Sequence, residues 1–496
     1  MSRINTNVVS LIARRAIGVN NGSLNEALER LSSGLRINSG KDDPAGLIAS
    51  ETLRSGIRAI DTAIDNANRA DTIVAVAEGG LQEISSLLLQ LENLIDQSAN
   101  EAGLTPQEIA ANQLQIDAIL QSVDRLAEAT SFGDKKLLNG TLAFTTSGIN
   151  VNQATGAALT HLNKVQVNAA KIPAGSFRNV VINVVKKSEV ALVSAVGAGT
   201  SGAGVINGTI GKATTLQVRG NLGSEVLSFA SGSSMATIAT AINSSKELTG
   251  VSATASAATG GPASIVFQST GYGKDAFVSV SVLENVSTAW STQAAETTDY
   301  GAHGTVTVNG TNAVVSGLDA SARSGSLGLD LSLTPSFGST TGGTTSFQIT
   351  GGGAVFSISP IVGLSGQESI GISEVSAAKL GDAGVGYLST LGAGLGNDLA
   401  SKKFASAQRI VRTAISQIAS LRGRLGAFQK DTLVTTVNSL QVARENVTAA
   451  ESAIRDADFA VETSNLTRAQ ILVSSSTSVL QLANAQAQNA LALLGG

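Results

Sequence analysis

Apolar residues recur every seven residues along a long stretch near the start of the chain. One series comprises Leu53, Ile60, Ala67, Val74, Leu81, Leu88 and Ile95, and a second comprises Gly56, Ala63, Ala70, Ala77, Ile84 and Leu91. Two apolar series offset by three residues are typical of a coiled-coil seam, and a seam sustained for this many heptads is a strong signal. The pattern predicts a long helix that has packing partners along most of its length.

The same pattern returns near the end of the chain. It runs through Phe404, Ala407, Val411, Ala414, Ile418, Leu421, Leu425 and Phe428, and after a register shift through Leu433, Leu440, Val447 and Ile454. Ordinary helices rarely exceed about 25 residues, so we expect the two long stripes to pair with each other and with neighbouring chains. A further helix is predicted from about 106 to 129, with apolar positions Ile109, Leu114, Ile116, Ile119, Leu120 and Val123.

The pattern changes between about residues 140 and 370. Segments rich in β-branched residues partly alternate with polar positions and are separated by Gly, Asn and Ser, which predicts a β-rich insertion of two small domains. One short helix is expected within it, carrying Ile238, Ile242 and Leu248. Helical ends around a β-rich middle give an α+β fold.

Both termini also have helical spacing. The N-terminal segment carries Leu24, Leu28, Leu31 and Leu35, and the C-terminal segment carries Leu480, Leu491 and Leu494. Neither segment contains enough apolar residues for a core of its own, and both would be marginal helices in isolation.

Composition excludes several classes of function. A net charge of -4 and no cysteine argue against phosphate-driven nucleic-acid binding, disulfides and thiolate metal sites. Neither His161 nor His303 belongs to a metal-ligand motif, and the run from Arg455 to Asp458 lacks calcium-site spacing, so it is interpreted as the polar face of a helix. We therefore expect no enzymatic role and no cofactor.

Nothing in the chain reads as a membrane or signal segment. No uninterrupted apolar run reaches the roughly 18 residues of a membrane span, and the first residues lack the pattern of a cleaved signal peptide. An exported protein with this sequence would be expected to use another route.

Long motifs at both ends resemble bacterial flagellin. They are INTN at 4–7, LERLSSGLRINSGKDDPAGL at 28–47, NRADTIVAVAEGGLQEI at 68–84, LLNG at 137–140, RLGAFQ at 424–429 and ENVTAAESAIRDADFAVETSNLTRAQIL at 445–472. The resemblance covers about the first 140 and the last 100 residues. Within the middle, residues 226–282 resemble the flagellin hook IN motif.

The resemblance implies an exported subunit of an extracellular filament. It implies inner-tube helices at 1–43 and 453–496, a helical wall domain at 44–165 and 371–452, and β-rich outer domains at 166–370. Self-assembly through the inner helices would involve Leu24, Leu28, Leu31, Leu35, Leu480, Leu491 and Leu494, and the wall seam would include Leu53, Ile60, Val74, Leu81, Leu88, Ile95, Val411, Ile418, Leu425, Leu433 and Leu440. Implied partners are further copies of the chain, an export chaperone on the C-terminal helix, a filament cap and hook-associated proteins.

Residues 28–47 predict a bend between two helices rather than a chemical site. Gly34 and Gly40 permit a break, Asp42 or Asp43 can cap the next helix, and Pro44 suits its first position. The resemblance places Gly34, Arg36, Asp42, Asp43 and Pro44 in a spoke, residues 34–44, between inner tube and wall.

Two glycines lie inside the C-terminal heptad helix. Gly423 and Gly426 each cost about 1 kcal/mol there, and we interpret them as positions that need close packing or local play for filament switching.

The stretch by which a toll-like receptor recognises many flagellins is altered in this chain. Gln90 and Glu92 stand where arginines are usual, and Gln115 stands where a glutamate is expected. Weak or absent receptor activation is therefore predicted. The alternatives are a hook-filament junction protein, or a secreted coiled-coil fibre or adhesin.

Overall fold

The computed structural model describes residues 6–100, 103–148, 161–173, 175–196, 209–210, 212–256, 264–283, 296–382 and 384–494. The chain divides into two compact units. The first comprises Met1–Ala70, Ser357–Gly366 and Lys430–Gly496, and the second comprises Asp71–Phe356 and Gln367–Gln429. These divisions fall at 70/71 and 429/430 and do not test the predicted limits of the wall domain. The limits at 43/44 and 452/453 therefore stay predictions.

Long helices form both ends of the described chain. The α-helices are α1 (Val8–Ser33), α2 (Pro44–Ser98), α3 (Pro106–Ala129), α4 (Met235–Ser244), α5 (Lys246–Thr249), α6 (Pro335–Gly338), α7 (Phe404–Ala427), α8 (Thr435–Arg455) and α9 (Phe459–Leu494). Short 3-10 turns lie at Leu364–Gly366, Leu388–Leu391 and Leu399–Ser401. Helix α3 has the predicted bounds because Thr105 and Glu108 form a reciprocal capping box and Pro106 occupies its first turn.

The predicted seam of α2 is buried in both units. In the first unit Ile60, Ala63 and Ile64 pack with Leu440 of α8. In the second unit the later half of α2 shares one core with α3 and α7, whose buried residues include Leu81, Leu88, Ile95, Val123, Val411, Ile418 and Leu425. Leu53, at the start of the seam, is only half-buried.

The register shift in the C-terminal seam coincides with a π-helix. Leu425 and Leu433 are both buried, although the step of eight residues from one to the other exceeds the heptad step by one. Residues Phe428–Val434 form a π-helix, whose i→i+5 hydrogen bonds accommodate one additional residue. The spacing of apolar residues indicated a register shift, and the π-helix is the backbone conformation that produces this shift.

The middle of the chain is β-rich, as predicted. The strands are β1 (Ser131–Phe132), β2 (Lys135–Lys136), β3 (Phe144–Ser147), β4 (Leu162–Ala170), β5 (Arg178–Lys186), β6 (Leu192–Val196), β7 (Thr214–Gly220), β8 (Ser224–Phe229), β9 (Val251–Ser256), β10 (Ser264–Ser269), β11 (Phe277–Val282), β12 (Glu296–Tyr300), β13 (Thr305–Val308), β14 (Thr311–Asn312), β15 (Val314–Ser316), β16 (Asp319–Ser324), β17 (Leu327–Leu333), β18 (Thr344–Gly352), β19 (Ala354–Ser357), β20 (Gln367–Ile370), β21 (Gly381–Asp382) and β22 (Gly386–Tyr387). The larger sheets have the orders β6-β10-β9, β12-β11-β7-β8, β14-β13-β5-β18-β3 and β15-β16-β17-β4.

These sheets enclose two separate apolar cores. One core is built from β6, β7, β9, β10, β11 and α4, around Phe267, Ile238 and Ile242. The other is built from β4, β5, β13, β16, β17 and β18, around Ile182 and Leu331. The expected short helix is present as α4 followed by α5, but Leu248 is exposed because Ser245 separates the two helices and breaks the helical spacing.

Helix α2 has the length and composition of a possible membrane span. Among the described residues it is the one helix long and apolar enough to cross a membrane by length and composition alone, although it contains no uninterrupted apolar run of about 18 residues. Its seam side chains, such as Leu81 and Leu88, are fully buried inside protein. Burial of one stripe of a helix in this way is typical of a coiled-coil seam.

Gly79 and Gly80 in α2 give a matched pair of substitutions. A Cβ on Gly80 would lie 2.6 Å from Thr130 Oγ1 and 3.0 Å from Leu138 Cδ1, whereas a Cβ on Gly79 would meet nothing within 4 Å. Thr130 is held by its hydroxyl bond to the Leu126 carbonyl, so it cannot easily move away. We expect Gly80→Ala to lower the free energy of unfolding by about 1–3 kcal/mol through overpacking, and Gly79→Ala to raise it by about 0.5–1 kcal/mol.

Urea unfolding of both variants, followed by circular dichroism, measures this difference. Equal effects of the two substitutions would contradict the packing of α2 against Thr130 and Leu138.

Candidate assembly surfaces

Helices α1 and α9 form an antiparallel pair within the first unit. Asn7 Nδ2 donates to the Ala483 carbonyl at 2.9 Å, and Asn20 Nδ2 donates to Ser476 Oγ at 2.6 Å. At the other end, Arg30 Nη1 lies 3.4 Å from Glu462 Oε1. Position numbers rise on one helix as they fall on the other, so the two chain ends lie side by side along most of their length.

The contacting faces form one continuous row on each helix, here called the inner rows. In α1 the inner row comprises Ala13, Ile17, Asn20, Leu24, Ala27 and Leu31, and in α9 it comprises Glu462, Leu466, Ala469, Val473, Ser476, Leu480 and Ala483, all buried or half-buried. Steps of three and four residues keep each row on one helical face. The fully buried members are mostly alanines, which allow two helix backbones to approach closely.

A second set of apolar residues on the same helices is exposed. In α1 it includes Val8, Val9, Leu11, Ile12 and Val19, and in α9 it includes Phe459, Val461, Ile471, Leu472, Val479 and Leu482. Ile12 and Val19 directly precede inner-row members of α1, and Val461, Leu472, Val479 and Leu482 directly precede members of α9. One residue turns the helix by about 100°, so these side chains lie beside the buried seam. The whole exposed apolar set of α1 and α9 is here called the outer rows.

The predicted inner-helix leucines divide between these environments. Leu24, Leu31 and Leu480 are half-buried members of the inner rows. Leu28 is 45% exposed, because it lies one residue beyond Ala27 and faces away from α9. Its expected part in self-assembly stays a prediction. Leu35 lies beyond the end of α1, and the side chains of Leu491 and Leu494 lie outside the described residues.

The spoke crosses a returning segment between α8 and α9. Gly34 ends α1 in the left-handed conformation with φ 71°, a conformation that glycine adopts without steric cost. Leu35 then forms an antiparallel bridge with Asp456, and the Arg36 amide donates to the Arg455 carbonyl at 2.7 Å. The two crossings of the chain are therefore hydrogen-bonded to each other.

Charged side chains of the spoke serve helix ends. The Arg36 guanidinium donates to the Ile454 carbonyl at 2.6 Å, which supplies a partner to the C-terminal end of α8. Asp43 caps α2 by accepting from the Gly46 amide at 2.9 Å, and Pro44 is the first helical residue. Of the two predicted capping residues, it is Asp43 that occupies the cap.

Asp42 closes the turn before the cap. Its Oδ2 accepts from the amide of Ser39 at 2.8 Å, from the hydroxyl of Ser39 at 3.0 Å and from the amide of Asn38 at 3.2 Å. These donors favour the ionised form, and the Ser39 amide contributes most to lowering the pKa of the carboxyl.

Sequence reasoning missed part of this connection. The run from Arg455 to Asp458 was interpreted as a helix face, but α8 ends at Arg455 and Asp458 caps α9 by accepting from the Ala460 amide at 2.8 Å. The reason is that Asp456 finds its partner at Leu35, more than four hundred residues away in sequence. The sequence signal that could have indicated this helix start was the pair of aspartates, Asp456 and Asp458, directly before an apolar helix.

Arg455 also ties the returning segment to α2. Its Nη1 lies 2.8 Å from Glu51 Oε1, and this hydrogen bond is the main cause that lowers the pKa of Glu51. Within the spoke, Ile37 is 1% exposed, and a Cβ on Gly46 would lie 2.6 Å from Ile37 Cδ1. Gly46 therefore allows the first turn of α2 to sit on Ile37.

Three family descriptions match the segments that build these features. "Bacterial flagellin N-terminal helical region" matches residues 4–143, "Bacterial flagellin C-terminal helical region" matches 409–494, and "Flagellin hook IN motif" matches 215–271. The matches together cover more than half of the chain. The chain belongs to the bacterial flagellin family. The IN motif was expected at about 226–282, and the match begins and ends eleven residues earlier.

Curated flagellins are the relatives in sequence. Polar flagellin F of Vibrio parahaemolyticus is 42% identical over 156 residues, which are 32% of this chain and 41% of that protein. Flagellin A of Vibrio cholerae is 40% identical over 156 residues, 32% of this chain and 40% of that protein. The matched part of the chain thus spans about two fifths of the length of these relatives.

Solved structures give a weaker likeness. FliC from Burkholderia pseudomallei is 14% identical, with 73% of this chain and 98% of that chain covered and a TM-score of 0.23. FlgL from Xanthomonas campestris is 14% identical, with 80% and 98% covered and a TM-score of 0.28. Scores this low carry no argument.

The predicted receptor-recognition stretch lies on the surface of the second unit. Gln90 and Gln115 are exposed, and Glu92 Oε1 lies 2.8 Å from Arg412 Nε of α7. Glu92, which is predicted to stand in place of an arginine, is thus engaged in an ion pair within the chain.

The two glycines of the flagellin heptad helix have open surroundings. A Cβ added to Gly423 or Gly426 would meet nothing within 4 Å. Close packing within the described chain therefore does not explain them, and their interpretation as points of local play stays a prediction.

The Asp42 carboxylate should make the spoke sensitive to acid. Because its folded pKa lies below the ordinary value of about 3.9, its stabilisation is complete above that value and is lost as pH falls through the folded pKa. We expect Asp42→Asn to lower the melting temperature at pH 6, and the difference from the unaltered chain to shrink progressively once the pH falls below about 3.9. Thermal unfolding of the monomer followed by circular dichroism at both pH values measures this, and a difference independent of pH would contradict it.

Proposed function

We propose that this chain is a flagellin subunit that polymerises into the bacterial flagellar filament, the helical propeller for swimming. The observation that carries the proposal is the pair of outer rows on α1 and α9. Side chains such as Val19, Ile471 and Val479 are more than half exposed in the single chain, although they sit on helices whose neighbouring faces are already paired. Contiguous exposed apolar surface of this kind marks an interaction site.

Assembly would bury the outer rows against neighbouring copies. Each fully buried side chain of this size contributes about 1.5–3 kcal/mol, so a few of them suffice to offset the entropy of ordering a subunit. Identical subunits that use different faces of the same helix pair form heterologous contacts, which generate open helical arrays wherever the rotation between subunits does not close into a ring. The spoke, with its paired crossings and its capped helix starts, would hold the inner helices at a fixed place under load.

The other roles follow from family membership. We propose that the chain is exported by the flagellar apparatus and lies outside the cell. Its proposed partners are a chaperone on the C-terminal helix, a filament cap and hook-associated proteins. A structural rather than a catalytic role is proposed on the same ground of family membership.

The outer row of α9 can be tested at one position. Ile471 is 60% exposed, so Ile471→Asp should leave the folded monomer intact but put a charge into the proposed subunit contact. We expect the critical concentration for polymerisation to rise about tenfold to a hundredfold, from the loss of about 1.5–3 kcal/mol. Ile471→Leu is the matched control and should polymerise normally.

Sedimentation and negative-stain electron microscopy measure polymer, and circular dichroism checks the monomer fold. Normal filaments of Ile471→Asp at the usual concentration would contradict the proposed role of the outer row of α9 in the subunit contact.

Receptor activation by the chain is expected to be weak. We propose that Gln90, Glu92 and Gln115 fail to provide the usual receptor contacts, and that Arg412 further neutralises the region through its 2.8 Å pair with Glu92. Purified monomer should give little response in a toll-like receptor reporter line, and Gln90→Arg combined with Glu92→Arg should raise that response at least tenfold. A strong response to the unaltered chain would contradict the proposal.

A further inference from the structure

An apolar groove lies at the start of α3 in the second unit. It has a volume of about 680 Å³ and is walled by Leu104, Ile109 and Leu114 on one side and by Ala393, Leu399 and Ala400 on the other. Leu114, one of the apolar positions of the predicted helix, is 71% exposed at the rim. The volume is within the range of sites that take ligands.

Hydrogen bonds fix the loop that forms one wall of the groove. The side-chain amide of Gln113 donates to the Leu391 carbonyl at 2.8 Å and accepts from the Leu399 amide at 2.9 Å. Asp117 Oδ1 accepts from the Ala393 amide at 3.0 Å. The groove is thus preformed by bonds between α3 and the loop.

The same bonds decide what the groove can hold. Asp398, another lining residue, accepts from the Gly394 amide at 3.0 Å and from the Ser401 amide at 2.9 Å. Gln113 and Asp398 are both engaged by the loop itself, so these two side chains are not available to orient a small molecule. Apolar side chains of a protein are the better match.

A loop in the first unit presents such side chains. Between β19 and β20, Ile361 is 75% exposed and Val362 is 90% exposed. The base of the loop is closed by a bond of 3.1 Å from the Ile358 amide to the Gly366 carbonyl, and Ile358 itself is buried. Two apolar side chains are therefore held in water at the tip of an ordered loop, here called the knob.

We propose that the knob of one copy, Ile361 and Val362, sits in the groove of a second copy. The inference rests on the proposed function, which supplies the second copy. A knob and a groove at different places on one chain make a heterologous contact, and such a contact propagates along an open array instead of closing a dimer. Both partners are ordered before they meet, which lowers the entropy cost of the contact.

The absence of cysteine from the chain permits a direct test. We would introduce Val362→Cys and Leu114→Cys together, polymerise the protein, oxidise it and separate it on a non-reducing gel. The expected result is a ladder of covalent multimers containing most of the polymerised protein. Each single substitution, and the matched pair Leu248→Cys with Leu114→Cys, in which Leu248 is 67% exposed but lies outside the knob, should give no ladder.

The outcomes separate the two proposals. Filaments without a ladder would overturn the knob-in-groove contact while leaving the proposed function intact. A disulfide formed within single chains before polymerisation would also overturn it. Absence of filaments from the unaltered chain would instead count against the proposed function.

A second variant keeps the inference testable if the cysteines impair assembly. Val362→Glu should raise the critical concentration at least tenfold, whereas Leu248→Glu should leave it unchanged. Equal behaviour of these two variants would overturn the contact.

Discussion

The narrow apolar seam of α2 is the constraint on which the rest of the structure depends. Helices in proteins draw most of their stability from the packing of an apolar face, so the apolar stripe of this 55-residue helix needs partners along most of its length. In the second unit α3 and α7 cover it, and in the first unit α8 does. Alanines at 67, 70 and 77, each fully buried, allow the covering helices to come close.

The terminal pair shows what happens when covering is incomplete. Helices α1 and α9 cover one row of each other, and polar members such as Asn20 and Glu462 fix their alignment through specific bonds. The outer rows remain in water. Apolar side chains left exposed on one face of such a pair would gain free energy from burial against a neighbouring copy.

The sequence predicted the helical seams, α3 and the β-rich middle because periodicity is a local property that burial enforces. It also signalled the π turn, through the eight-residue step from Leu425 to Leu433. It could not predict the bond between Leu35 and Asp456, since nothing local distinguishes a polar residue on a helix face from one that pairs with a distant strand. Gly46 was missed because its need depends on Ile37 lying beneath it.

Two apolar positions on the predicted helices are exposed, and they share one physical cause. Leu28 and Leu114 are 45% and 71% exposed, and each lies one residue beyond a buried residue, Ala27 and Gln113. Periodicity reports that a face must be buried, but it cannot report whether the covering surface belongs to the same chain. In a chain that assembles, the positions where a correct helical pattern meets solvent are therefore the places to look for a neighbouring copy, as the outer rows and the groove beside Leu114 illustrate.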